Sequence, residues 1–82
     1  MRLEEKPHFA RRRRRLTQAA SRALAIALAR LQADPRDPRL RTHKVGGERW
    51  AASFGYDARI VFTWENDLIT LLDLGSHDEV YG

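Results

Sequence analysis

The sequence predicts an α+β fold in one domain spanning residues 1–82, and three observations lead to it. Apolar residues recur at intervals of three and four through residues 20–31, then at intervals of two from Trp50 onward. A twice-interrupted segment, Asp34-Pro35-Arg36-Asp37-Pro38, separates the two regimes, because a residue before Pro is pushed out of the helical region. Helices first and a meander of strands afterwards is the α+β order, not the alternation of a parallel sheet.

Residues 1–5 are expected to form a short edge strand. Pro7 then opens a helical region running to about Ala33, since its missing N–H costs nothing in a first turn. Within it, the five-arginine run at residues 11–15 circles the helix axis, successive side chains lying about 100° apart. Phe9 and Leu16 face one way, so Arg12 and Arg13 lay their stems along apolar surface and the other three point outward. Thr17 is a candidate N-cap for a second helix, although one bent helix fits the same pattern. Ala20, Leu24, Ala27, Leu28 and Leu31 form that helix's apolar stripe, with Ile26 on its flank.

Beyond the break, residues 40–45 read as a weak strand ended by Gly46-Gly47. Trp50, Ala52 and Phe54 alternate with Ala51 and Ser53, and Gly55-Tyr56-Asp57 is a turn. Residues 59–64 form a stronger strand, Glu65-Asn66-Asp67 a hairpin turn, and residues 68–74 a central strand ended by Gly75-Ser76. Residues 77–82 are left as a tail or a single helical turn.

Composition narrows the function. With 82 residues and no Cys, the chain has neither a disulfide framework nor a thiolate metal site, and a reducing cytoplasm is the expected compartment. No stretch approaches the ~20 apolar residues of a membrane span, and no signal peptide is expected. Three His without an H-x-x-x-H spacing make no zinc site, so neither metal nor cofactor is expected. The charge is strongly divided. Residues 1–49 hold 14 of the 15 Lys and Arg against 5 of the 11 acids, a net of +9, whereas residues 50–82 carry −5. A basic face of this kind attracts a polyanion through phosphate neutralisation and counterion release, which makes nucleic acid the first candidate partner.

Cleaving RNA without a metal needs a base for the ribose 2′-OH, an acid for the departing 5′-oxygen and positive charge for the phosphorane-like transition state. His77, after the last strand, and His43, beside Lys44 and before Gly46-Gly47, suit acid/base work. Arg59, the one cation of the acidic half, suits phosphate. Each residue also has a plainer reading. His77 beside Asp78 and Glu79 caps a turn, His43 is a surface residue, and Arg59 pairs with Asp57 or Asp73. Trp50 and Trp64 are assigned to packing, whereas Tyr56 and Tyr81 are free to stack on bases.

The order of these pieces resembles the RelE/ParE toxin superfamily. The resemblance rests on residues 40–46 (LRTHKVG), 56–62 (YDARIVF) and 72–81 (LDLGSHDEVY), with the closing GSHDEVY similar to the YafQ-like and RelE/StbE-type branches. It implies two N-terminal helices against a small curved antiparallel sheet. It also implies a toxin of a type II toxin-antitoxin system, an endoribonuclease (mRNA interferase) that cuts mRNA at the ribosome and is held by a cognate antitoxin. Position by position, His77 matches the family's acid/base histidine, Tyr81 the C-terminal aromatic that orients substrate, and Arg59 the arginine that steadies the scissile phosphate. His43 matches a histidine of the YafQ branch, and Asp57 the acidic residue of the turn before the next strand. A Trp that follows this acid in the YafQ branch is Ala58 here, and a second turn histidine is absent. Arg11, Arg12, Arg13, Arg14, Arg15 and Lys44 are expected to meet RNA phosphates, including those of rRNA. The alternatives are a ParE-like toxin acting on DNA gyrase, which does not cut RNA, and an inactive RNA-binding relative.

Overall fold

The helices form where the periodicity puts them. In the computed structural model, which describes residues 1–76, α1 is Pro7–Arg13 and α2 is Gln18–Ala33. Pro7 sits in the first turn of α1. Thr17 caps α2, its hydroxyl oxygen accepting a hydrogen bond from the Ala20 amide at 3.1 Å, so the helical region is two helices and not one bent rod. Phe9, Leu24, Ala27, Leu28 and Leu31 are buried, Ile26 is 54% exposed on the flank, and Ala20 is half-buried at the edge of the stripe. Within the arginine run, Arg12 and Arg13 are half-buried and Arg11, Arg14 and Arg15 are exposed, as the axis geometry requires.

Leu40 departs from expectation. It lies buried in a 3-10 turn, Pro38–Leu40, rather than opening a strand. Pro38 presets the first position, and the Asp37 carboxylate accepts from the Arg39 amide at 3.0 Å, which tightens the chain into a turn.

Five strands follow the expected order: β1 Arg2–Glu5, β2 His43–Gly46, β3 Arg49–Phe54, β4 Ala58–Glu65 and β5 Leu68–Ser76. They line up as β1-β5-β4-β3-β2. The sheet is mixed, not antiparallel throughout, because β1 runs parallel to β5. Antiparallel neighbours can be joined by tight turns, as β2 to β5 are, but β1 returns to β5 only after both helices and three strands, a crossover long enough for a parallel pair. The strand β5 also continues through Gly75 and Ser76, which pair with Arg59 and Ala58.

One register shift shapes the sheet. Val61 pairs with Asp73 but Phe62 pairs with Leu71, so Leu72 is an extra residue in β5. The bulge lets Leu71 and Leu74, three apart, both face the core opposite Phe62 and Ile60. On the helix side, Ala52, Phe54, Ile60, Phe62, Ile69, Leu71 and Leu74 pack with Phe9 and the α2 stripe into one contiguous core. Trp50 and Trp64 pack at its border with ring centroids 5.3 Å apart, and Arg36 and Lys44 lie over the faces of Trp64 and Trp50 respectively.

Phe62 is fully buried on the strand paired on both edges, so Phe62→Ala is expected to cost ~3–5 kcal/mol of unfolding free energy, measured by urea denaturation.

Candidate functional site

Alternation along the strands puts Arg59, Val61 and Thr63 on the face of the sheet away from the core. Pairing extends this into rows. Ser53, Arg59 and Gly75 form one row across β3, β4 and β5, and His43, Ala51, Val61 and Asp73 form the next. Arg59 and His43 thus share a face, but two strands separate their rows' positions, roughly 10 Å sideways.

Arg59 lines a hollow of about 560 Å³ together with Arg39, Arg41, Ser53, Tyr56 and Asp57. Its guanidinium donates to the Ala58 carbonyl at 3.0 Å. Among the described residues it pairs with neither Asp57 nor Asp73, the two acids that an ordinary ion pair would have used. Asp57 and Tyr56 are exposed in the β3–β4 turn beside it. Three guanidinium groups around one hollow provide forked donors suited to phosphate oxygens.

Two features prepare this hollow. Arg41 adopts a left-handed conformation, φ +52°, closing the turn with its amide donating to the Pro38 carbonyl. A non-glycine residue there is strained by ~1–2 kcal/mol, and such strain gathers at functional sites. Arg39 in turn is gripped by Asp37 through Nε at 3.1 Å and Nη2 at 2.7 Å. The Arg39 side chain, followed by the Arg39 amide, lowers the Asp37 carboxyl from 3.8 to about 2. The same contact raises the pKa of Arg39.

His43 is exposed on β2, with Nδ1 2.8 Å from the Arg41 carbonyl. When Nδ1 carries the proton and donates it there, Nε2 is left as an acceptor, the form a general base requires. The hollow beside Arg59 is not lined by His43. Lys44, adjacent in sequence, falls on the opposite face over Trp50 and takes no part in that hollow. His77 and Tyr81 lie outside the described residues.

A second charged hollow, about 410 Å³, opens between α1 and the end of β5 and is lined by His8, Arg11, Arg12, Arg15, Leu16, Leu74 and Gly75. Just outside this lining, Asp73 meets two of its side chains, His8 Nε2 at 3.0 Å and Arg12 Nη1 at 3.4 Å. Arg13 is turned elsewhere, to Glu5 at 2.8 Å. His8 was legible only as one of three histidines. The available signal was the four-residue step from His8 to Arg12, which puts that pair on one face of α1. Among the described residues no group of His, Asp and Glu converges as a metal ligand set, and no helix is long and apolar enough to cross a membrane.

No family profile and no curated protein matches the sequence. Solved structures do match its fold. A conserved hypothetical protein, HP0894 of Helicobacter pylori, superposes with a TM-score of 0.73 at 21% identity over 99% of both chains. A chain of the DinJ-YafQ toxin-antitoxin complex of E. coli gives 0.69 at 15% identity, covering 99% of this chain and 97% of its own. A chain of the RelB-RelE antitoxin-toxin complex of Methanococcus jannaschii gives 0.76 at 11% identity, covering 95% and 94%. Two helices on a five-stranded mixed sheet are therefore the fold of the RelE/YafQ-like toxins.

Two outcomes follow from this geometry. Arg41→Gly relieves the left-handed strain and is expected to raise stability by ~0.5–1 kcal/mol in urea melts while weakening RNA binding. The Asp37 carboxyl, titrated by NMR, is expected to ionise near 2 and to return toward 3.8 in Arg39→Ala. Because the folded value is depressed, the stability it confers is present above about pH 4 and disappears as pH falls through about 2.

Proposed function

We propose that this chain is the toxin of a type II toxin-antitoxin pair, a metal-independent endoribonuclease that cuts mRNA on the ribosome. The observation that carries the reading is the pairing of Arg59 with Gly75. It sets the end of β5, two residues before His77 in the sequence, alongside a guanidinium that no described carboxylate neutralises.

In this reading Arg59, flanked by Arg39 and Arg41, holds the scissile phosphate and stabilises the charge that builds on its oxygens as the ribose 2′-oxygen attacks phosphorus. A base removes the 2′-OH proton, the P–O5′ bond breaks, and an acid delivers a proton to the departing O5′. The products are a 2′,3′-cyclic phosphate and a 5′-hydroxyl end. His77 supplies acid/base catalysis, and Tyr81 orients the nucleotide. His43, with its Nε2 available as an acceptor, is the other acid/base candidate, and the two interstrand spacings between β2 and β4, ~10 Å, give it a different part of the substrate from Arg59. Asp57 and Tyr56 border the bound strand at the turn. The arginines at 11–15 and Lys44 contribute phosphate contacts, with Lys44 restricted to the opposite face. The partners are the ribosome with its mRNA and an antitoxin whose acidic or amphipathic segment covers the basic hollow, in a cytoplasmic setting.

Codon-positioned cleavage in a reconstituted translation system tests the reading. Wild-type protein is expected to cut, and His77→Ala to lose at least ~10²-fold in rate, the scale of positioned acid/base catalysis. Arg59→Ala should lower kcat by ~10²–10³-fold, as removal of a transition-state donor does. Intact transcripts with folded wild-type protein, or inhibition of DNA supercoiling that survives His77→Ala, would overturn it.

A further inference from the structure

We propose that the hollow between α1 and the end of β5 is a second phosphate subsite, taking the phosphodiester next to the one held at Arg59. This rests on the reading of Arg59 as the contact to the scissile phosphate. Two independent features locate it. Arg11 in the last turn of α1 and Arg15 in the turn that follows it line the same hollow, with Arg12 and His8 beside them. The sheet contributes Leu74 and Gly75 to the lining: Gly75 is the register partner of Arg59, and Asp73, just outside the lining, lies two residues before it on β5. Asp73 is therefore the diagonal neighbour of Arg59, about 7–8 Å away between backbones. The hollow's sheet wall at Gly75 thus lies one interstrand spacing, about 5 Å, from the Arg59 backbone, so one extended strand can meet both.

Asp73 is a positioning residue for this subsite. Its Oδ1 holds His8 and Arg12 in place and also accepts from the Leu74 amide at 2.8 Å, which fixes the carboxylate itself. The cleft thus keeps its inner side chains ordered before RNA arrives, while Arg11 and Arg15, both exposed at its mouth, add positive charge. Side-chain ordering that is complete before binding does not have to be charged against affinity. The bulge at Leu72 is what brings Asp73 into the Val61 row, on the Arg59 face and within reach of α1.

A short single-stranded oligoribonucleotide, 2′-O-methylated so that no cleavage can occur, is the probe, and binding is followed by fluorescence anisotropy over a range of salt. The double variant Arg11→Ala/Arg15→Ala, both positions exposed, is expected to reduce the slope of log K against log salt by about 0.7, one single-strand phosphate contact's worth. In the ribosomal assay the same variant is expected to raise KM about ten-fold and leave kcat within two-fold, whereas Arg59→Ala lowers kcat. Asp73→Asn keeps the acceptor oxygen and removes the carboxylate charge beside His8 and Arg12, so it is expected to tighten binding about five-fold, the effect of one screened charge at contact distance. Asp73→Ala, which also removes the acceptor that holds His8 and Arg12, is expected to bind about five-fold more weakly than Asp73→Asn; equal binding by the two variants would overturn its positioning role. An unchanged salt slope in the arginine variant overturns the subsite even if the wild-type protein cuts mRNA. If that variant instead loses binding of an acidic peptide, the cleft belongs to a protein partner. Wild-type protein that binds with the expected slopes but never cuts refutes the nuclease and leaves the subsite as RNA binding.

Discussion

The antiparallel pairing of β4 with β5 is the constraint on which the rest depends. It is the longest ladder in the sheet and runs from Glu65 opposite Leu68 to Ala58 opposite Ser76. One face of it supplies Ile60, Phe62, Ile69, Leu71 and Leu74 to the core, and the other carries Arg59. The same hydrogen bonds therefore stabilise the domain and decide which residues stand beside the Arg59 guanidinium. A one-residue slip would move every core side chain of β5 to the wrong face, so burial holds the functional register in place.

The bulge modifies this ladder at one point, with consequences on both faces. It converts a spacing of three, Leu71 to Leu74, into two inward-facing positions, and it delivers Asp73 to α1. Counter-charge is used locally in this way twice. Asp73 steadies Arg12 and His8 at one end of the sheet, and Asp37 steadies Arg39 at the turn before β2. Each acid fixes part of a basic cluster, Asp73 two side chains and Asp37 one, while leaving exposed arginines around it, so the basic surface is ordered without being neutralised. The strained Arg41 belongs to the same design, because its left-handed backbone carries the chain from the 3-10 turn to β2 and leaves its side chain at the Arg59 hollow.

Much of the fold was legible because local signals and burial agree. The N-cap at Thr17, the α2 stripe, the Gly55-Tyr56-Asp57 turn and the Arg59 strand all follow from spacing and turn chemistry. Three features were not. Leu40 reads as strand because its burial is apolar, yet a side chain three residues away, Asp37, decides its backbone. The direction of β1 depends on a partner 66 residues further along, Leu68 opposite Arg2, and short segments carry no mark of parallel or antiparallel pairing. The bulge hides in an unbroken apolar run, where alternation cannot be counted.

The site divides along the same line. Arg59 stood out because it is the only cation among acids, and Asp57 because it sits in a recognisable turn. His8 and the pairing of Asp73 with α1 were missed, since they arise from packing of the sheet edge against a helix 65 residues away in sequence, His8 to Asp73. His43 and Lys44 looked like one unit and are split by strand alternation onto opposite faces. The central claim is that the guanidinium of Arg59 and the imidazole of His77 act on one phosphate. Titration of the labelled protein with a non-cleavable dinucleotide, following the Arg59 Nε and His77 ring resonances together, tests it most directly. Both sets of signals should move in step with a single dissociation constant; a shift at Arg59 with the His77 ring untouched at saturation would contradict the account.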